Sequence, residues 1–311
     1  MTGRTGTSRQ AGRGARRSEL AHTLLAATRT RRGMIGLTLT GIVCGLAAIG
    51  PWLAPHSPTE FLAPTFAPRG GDLLLGSDAL GRDVLSRVLA GGWLLLLAAA
   101  AATALGIVVG TTAGIIAAYF GGWRDSVIMR LADVVLAFPQ IVFALLLISV
   151  VGPNTALLVG AVGLSHAPQV ARVVRGTAMD IAERDFVKAV QITGVRAGRV
   201  IRREILPNLM SPLMVEIGLR MAYSIVIIAG LSFIGFGLQP PTPNWGTMIN
   251  ENRIGLTQNL WATVVPSLLL ATLCVGLNTF TDAVARAALG TDRADRLHAT
   301  DGHTTVEVDQ P

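Results

Sequence analysis

Apolar residues in this chain gather into six long runs, at about 34–53, 93–118, 127–150, 155–173, 209–237 and 259–282. A run of about 18 or more reads as a helix crossing a bilayer. The second run, LLLLAAAAATALGIVVGTTAGIIAA, places Gly106, Gly110 and Gly114 four residues apart on one helical face, where small residues let helices approach closely in lipid. Polar stretches divide the runs. GGWRDSVIMR (121–130) reads as a short turn, Gly152-Pro153-Asn154 as a tight one, and QPPTPNWGTMINENR as a loop before the last run. His166 and Pro168 fall inside the fourth run.

The expected architecture is an all-α polytopic membrane protein of six transmembrane helices. Residues 1–33 form a basic tail, 34–90 the first span and an extracytoplasmic segment, 91–286 the main membrane domain, and 287–311 a polar tail. Composition agrees: of 311 residues 51% are hydrophobic and only 14% charged, where a soluble domain carries about 25%. The net charge of +7 does not point to nucleic acid, because the arginines cluster beside the runs. Residues 1–33 hold eight Arg and one acid, and 172–208 hold eight basic residues and four acids. Both regions read as cytoplasmic, which places both termini on the inner side of the membrane. The run at 34–54 is longer than a signal-peptide core and lies behind the basic leader, so it reads as a retained span. Cys44 and Cys274 both fall in apolar runs and indicate neither disulfide nor metal.

No catalytic constellation is legible. Lys188 is the only lysine, and no glycine pattern precedes it, so a P-loop is excluded. No His, Cys or Glu cluster has metal-ligand spacing. Glu216 and Arg220 stand i,i+4 in the fifth run, in the favourable order for an ion pair. They are either part of a solute pathway or a self-neutralised pair packed between helices. His166 admits the same two readings, pathway residue or hydrogen-bonded packing residue, and Asp133 reads as a helix cap near the start of the third run.

The segment KAVQITGVRAGRVIRREILPN (188–208) reads as a helical hairpin: helix one at about 184–192, a turn at Thr193-Gly194, helix two at about 197–206, and Pro207 opening the next element. Ala197, Val200, Ile201 and Ile205 form one apolar stripe, with Arg196, Arg199, Arg202 and Arg203 on the other side. Such a hairpin suits either an anionic lipid surface or the groove of a soluble partner.

The hairpin's Ala189, Gly194 and Ile205-Leu206-Pro207 resemble the EAA loop of bacterial ABC importer permeases. Lys188 stands where that loop usually has Glu, and Val190 where it usually has a second Ala. Three further stretches, LGSDALGRDVLSR (75–87), YFGGWRDSVIMRLADVVLAFP (119–139) and LSFIGFGLQPPTPNWGTMI (231–249), are similar to motifs of the dipeptide/oligopeptide/nickel permeases, most of all the second, DppC/OppC-like, subunit of the pair. The resemblance covers about 34–286. It implies a type I importer transmembrane domain with a cytoplasmic coupling hairpin at 184–207. The partners it implies are a second, DppB/OppB-like permease, two ATP-binding subunits that hold the ATP and Mg, and an extracytoplasmic solute-binding protein, with lipid around and no cofactor on this chain. Lys188, Ala189, Gly194, Arg196, Ile205, Leu206 and Pro207 would then couple to the ATPases. The solute would be a di- or oligopeptide, with nickel or glutathione as alternatives; a non-transporting membrane scaffold is the reading from another class. Asp78, Gly81, Arg82 and Asp83 would shape an outer surface for the binding protein, or else hold a helix start with Asp78 as its N-cap and Arg82 at i+4. Trp245 reads as an interfacial anchor.

Overall fold

The computed structural model describes residues 24–290. Of the two expected tails, 1–23 and 291–311 lie outside the described residues. The elements are α1 (Arg31–Leu53), α2 (Val84–Ala90), α3 (Trp93–Phe120), α4 (Gly122–Leu136), α5 (Gln140–Val151), α6 (Thr155–Ala182), α7 (Asp185–Ile192), α8 (Ala197–Val200, passing into a π-helical turn Ile201–Ile205), α9 (Leu206–Asn208), α10 (Met210–Ile234), α11 (Trp245–Asn252) and α12 (Trp261–Leu289). The described residues form no strands beyond isolated bridges in the 61–83 loop.

α1, α3, α6, α10 and α12 are long and apolar enough to cross a bilayer. α4 and α5 reach that length and hydropathy only as a pair, bent by 86° between them, which is the form of a broken span or of a re-entrant loop. The straight third span expected at 127–150 is therefore broken, and the turn expected at 121–130 is helix from Gly122 onward. Only Gly121 and Gly122, at φ 57° and 58°, reverse the chain there. The break has a local cause. Pro139 has no N–H to offer the preceding turn, and its ring pushes Phe138 out of the helical region. α6 runs past its expected end at 173 to Ala182, so the hairpin is the extension of a span rather than a separate loop.

The glycine face of α3 meets α6 directly. A Cβ on Gly106 would stand 2.8 Å from the Gly163 carbonyl oxygen, on Gly110 2.6 Å from that of Ala167, and on Gly114 2.6 Å from that of Ala171. Without side chains there, the two backbones come close enough for dispersion contacts, which replace the hydrophobic drive that lipid cannot supply. α1 crosses α12 in the same way, Gly36 lying against Phe280 and Gly276 against Thr40. The main core joins α1, α2, α3, α5, α6, α10, α11 and α12. A second cluster at the hairpin end joins α3, α6, α10 and the hairpin.

Candidate functional site

At the hairpin end, α7 and α8 project from the far ends of α6 and α10. Gly194 closes α7 at φ 71°, a conformation that costs a side chain about 1–2 kcal/mol. A Cβ there would meet nothing within 4 Å, so the requirement is one of backbone conformation, not space. The apolar stripe of helix two turns inward. Val200 and Ile205 are fully buried and pack with Val170, Val174, Ile181, Val187 and Leu209. The stripe thus roots the hairpin in its own chain, which corrects both expectations for it, an anionic lipid surface and a partner's groove. Leu206 and Pro207 are half-buried, and the backbone widens into a π turn just before Pro207, which has no N–H to return to Arg203. The free surface is instead Lys188, Ala189, Gly194, Arg196, Arg199, Arg202 and Arg203, with Ile192 exposed at the tip.

Midway along the spans lies a polar layer. Thr103, Gln140, His166 and Ser224 each stand about 15–17 Å from the opposite end of their helices at ~1.5 Å per residue, the middle of a ~30 Å apolar core. His166 Nε2 is 3.0 Å from Ser224 Oγ, which is 3.0 Å from Thr103 Oγ1. Gln140 Nε2 lies 3.3 Å from His166 Nδ1 and 3.3 Å from the Ser165 carbonyl. An amide N–H can only donate, so His166 Nδ1 accepts and Nε2–H donates to Ser224. Ser224 then donates to Thr103, whose hydroxyl donates on to Met221 Sδ at 3.8 Å. Every member is satisfied, which matters in a medium without water. His166 is fully buried and hydrogen-bonded within this layer. One turn further toward the hairpin, Arg220 donates from Nε to Glu216 at 3.0 Å and from Nη1 to Gln169. Asp133 lies in the last turn of α4 and pairs with Arg172, so it does not take the expected role at a helix N-terminus.

At the opposite end, the 55–83 loop is locked to α11. Arg82 Nε is 2.7 Å from Asp78 Oδ2, as i,i+4 spacing expects, and Arg82 and Arg87 both reach Glu251 Oε2, at 2.8 and 2.9 Å. Asp83, not Asp78, is the N-cap of α2, accepting from Leu85 N and Ser86 N; Asp78 instead caps the turn at Gly81 by accepting from Leu80 N and Arg82 N. Asp78, Gly81, Arg82 and Asp83 are all buried, so a docking protein would meet the loop around them and not these side chains. Trp245 is fully buried as well, its indole N–H donating to the Val88 carbonyl at 2.9 Å. It is a core residue rather than the expected interfacial anchor.

Sequence reasoning missed Gln140, Gln169, Arg172, Arg87 and Glu251. The Pro139 break was the one local signal for Gln140, and Arg82, Arg87 and Glu251 share no sequence spacing. No group of His, Cys, Asp and Glu able to hold a metal occurs among the described residues.

A bundle of broken and glycine-packed spans with a basic hairpin rooted at one end defines a multi-pass membrane protein. The chain belongs to the family of binding-protein-dependent transport system inner membrane components, whose model matches residues 110–289, and it is a permease of an ABC importer. It is 33% identical over 264 residues to the dipeptide transport system permease protein DppC of Haemophilus influenzae, covering 83% of this chain and 90% of the relative. It is 36% identical over 213 residues to the glutathione transport system permease protein GsiD of Pectobacterium atrosepticum, covering 68% and 71%. It is 32% identical over 259 residues to the di/tripeptide transport system permease protein DppC of Pseudomonas aeruginosa, covering 81% and 86%. Among solved structures, a chain of the MetNI methionine ABC transporter in inward-facing conformations aligns with TM-score 0.49 at 17% identity, over 63% of this chain and 93% of that one.

Proposed function

We propose that this permease carries short peptides, glutathione among them, into a bacterial cell. In this reading it pairs with a second, DppB/OppB-like permease, receives solute from an extracytoplasmic binding protein, and is driven by two subunits that bind ATP and Mg. Both termini and the hairpin lie on the cytoplasmic side. The observation that carries the reading is the hairpin. Its apolar stripe is buried in the bundle while Lys188, Ala189, Gly194 and Arg196 are exposed. A handle rooted this way moves as one body with α6 and α10, so closure of the ATPases on its surface tilts the spans rather than bending a loop. The relatives' names supply the solute class: dipeptide, di/tripeptide and glutathione.

The test is ATP-dependent uptake of a labelled dipeptide by vesicles holding the chain with its partner permease and ATPases. Gly194→Asp should leave the bundle folded, yet release the ATPases and abolish uptake. Normal uptake by the variant would remove the hairpin from coupling, and an assembled wild-type complex that moves neither dipeptide nor glutathione would remove the peptide assignment.

A further inference from the structure

Polar and charged groups at membrane depth gather on one face of the bundle. The backbone between α4 and α5 is not helical, and Ala137, Phe138 and Pro139 are exposed there. Non-helical backbone at this depth is tolerated only where protein buries it or where it lines water. Beside it, Asp133 and Arg172 pair while both remain about half exposed, at 55% and 51% of their side chains. Gln169, one turn from Arg172 on α6, bonds Arg220 on α10, and Tyr223 lies on the same face of α10, 51% exposed, with its ring 5.5 Å from the guanidinium. Hydrocarbon does not accept such a surface, because charges in spans face a bundle interior or a water-filled cavity.

We propose that this face lines the solute's path and that Arg220, with Gln169 beside it, receives the carboxylate of a passing peptide near the bilayer midplane. The proposal rests on the importer reading above and adds the recognising group. Arg220 spends Nε on Glu216 and Nη1 on Gln169, and its Nη2 carries no hydrogen bond to the described residues. A guanidinium edge holds a carboxylate with two parallel N–H donors. A peptide carboxylate would take Nη2 directly and Nη1 by displacing the Gln169 amide oxygen. That oxygen also lies 3.4 Å from Gln140 Nε2, whose two hydrogens it shares with His166 Nδ1 and the Ser165 carbonyl, so the displaced Gln169 keeps a shared donor. Glu216 stays on Nε and keeps the arginine oriented. Gln140 is the first residue of α5, so the same contacts would join occupancy at Arg220 to the break between α4 and α5.

The experiment uses the whole complex in proteoliposomes, with binding protein saturated in turn by a dipeptide and by the same dipeptide with an amidated C-terminus. Saturation removes the binding protein's own preference, so maximal uptake reports the permease. Arg220→Gln should cut maximal uptake of the free acid by about tenfold or more, the worth of a charged hydrogen bond, and leave the amide within about twofold. Arg220→Lys should retain part of the acid's rate. Gln169→Glu keeps an acceptor on Arg220 but sets a fixed negative charge at the site, so it should slow the acid selectively even if Arg220→Gln fails to assemble. Equal slowing of acid and amide in both variants, or of neither, overturns carboxylate recognition while leaving the importer reading intact. A wild-type complex that assembles and carries neither compound overturns the peptide reading and this proposal with it.

Discussion

Replacing Gly110 with Ala adds one methyl group at the closest approach of α3 and α6. That Cβ would lie 2.6 Å from the Ala167 carbonyl oxygen and 2.6 Å from Val170 Cβ, where non-bonded carbons prefer about 3.5–4.0 Å. Neither neighbour can step aside: one is helix backbone and the other the branch point of a stiff side chain. The helices must part by roughly 1 Å, and parting at Gly110 also opens the contacts at Gly106 and Gly114 on the same face. Overpacking of this kind costs about 1–3 kcal/mol, against a gain of at most about 1 kcal/mol for Ala over Gly in a helix. The net effect is destabilising by up to about 2 kcal/mol, and Val170→Ala should not rescue it, because the Ala167 carbonyl remains. The control is Gly176→Ala on α6, where a Cβ meets nothing within 4 Å and the helix gain acts alone. Heating the detergent-solubilised complex and measuring the monodisperse fraction gives a midpoint for each variant. Gly110→Ala should fall below wild type and Gly176→Ala should match or exceed it. A Gly110→Ala midpoint equal to that of Gly176→Ala would refute the claim that carbonyl proximity sets this interface.

Two further substitutions test the opposite end of the bundle. Glu251→Ala leaves Arg82 and Arg87 buried with only Asp78 to face them, so it should lose about 3–5 kcal/mol and free α11 from the 55–83 loop; faster cleavage of that loop by added protease is the readout, and Glu251→Gln should be milder because it keeps an acceptor. Trp245→Phe keeps most of the buried volume but drops the bond to the Val88 carbonyl, for a loss of about 1–2 kcal/mol in the same heating assay.

Much of the bundle was legible because the bilayer writes its requirement locally. A span needs a run of apolar residues, and five of the six runs became single helices long enough to cross, the third becoming the bent pair α4 and α5. The Gly106–Gly110–Gly114 face was legible for the same reason, since a spacing of four is already a statement about which side of a helix is small. The hairpin, its turn at Gly194 and the Glu216–Arg220 pair are all contacts within a few residues of sequence, and each formed as spaced. The misreadings share a cause. Asp133, Trp245 and the stripe of helix two were assigned from their immediate neighbours, and each was claimed by a distant partner: Arg172, Val88 and the α6 core. Pro139 breaks its run, whereas Pro51, Pro168 and Pro266 stay inside continuous helices, so a proline in an apolar run does not by itself locate the 86° bend.

By itself, then, the sequence determined that this chain crosses a membrane several times, that it carries no P-loop motif, and that a basic hairpin stands at one end. Those properties follow from hydropathy, from missing residue types and from backbone rules that act over one or two turns. The tertiary structure alone decided which side of the hairpin is free, which residues close the polar layer at mid-depth, and how Arg82, Arg87 and Glu251 tie loop to helix. Those are pairings between residues as much as 169 positions apart, made because a buried polar group without water must find a partner wherever the packing brings one.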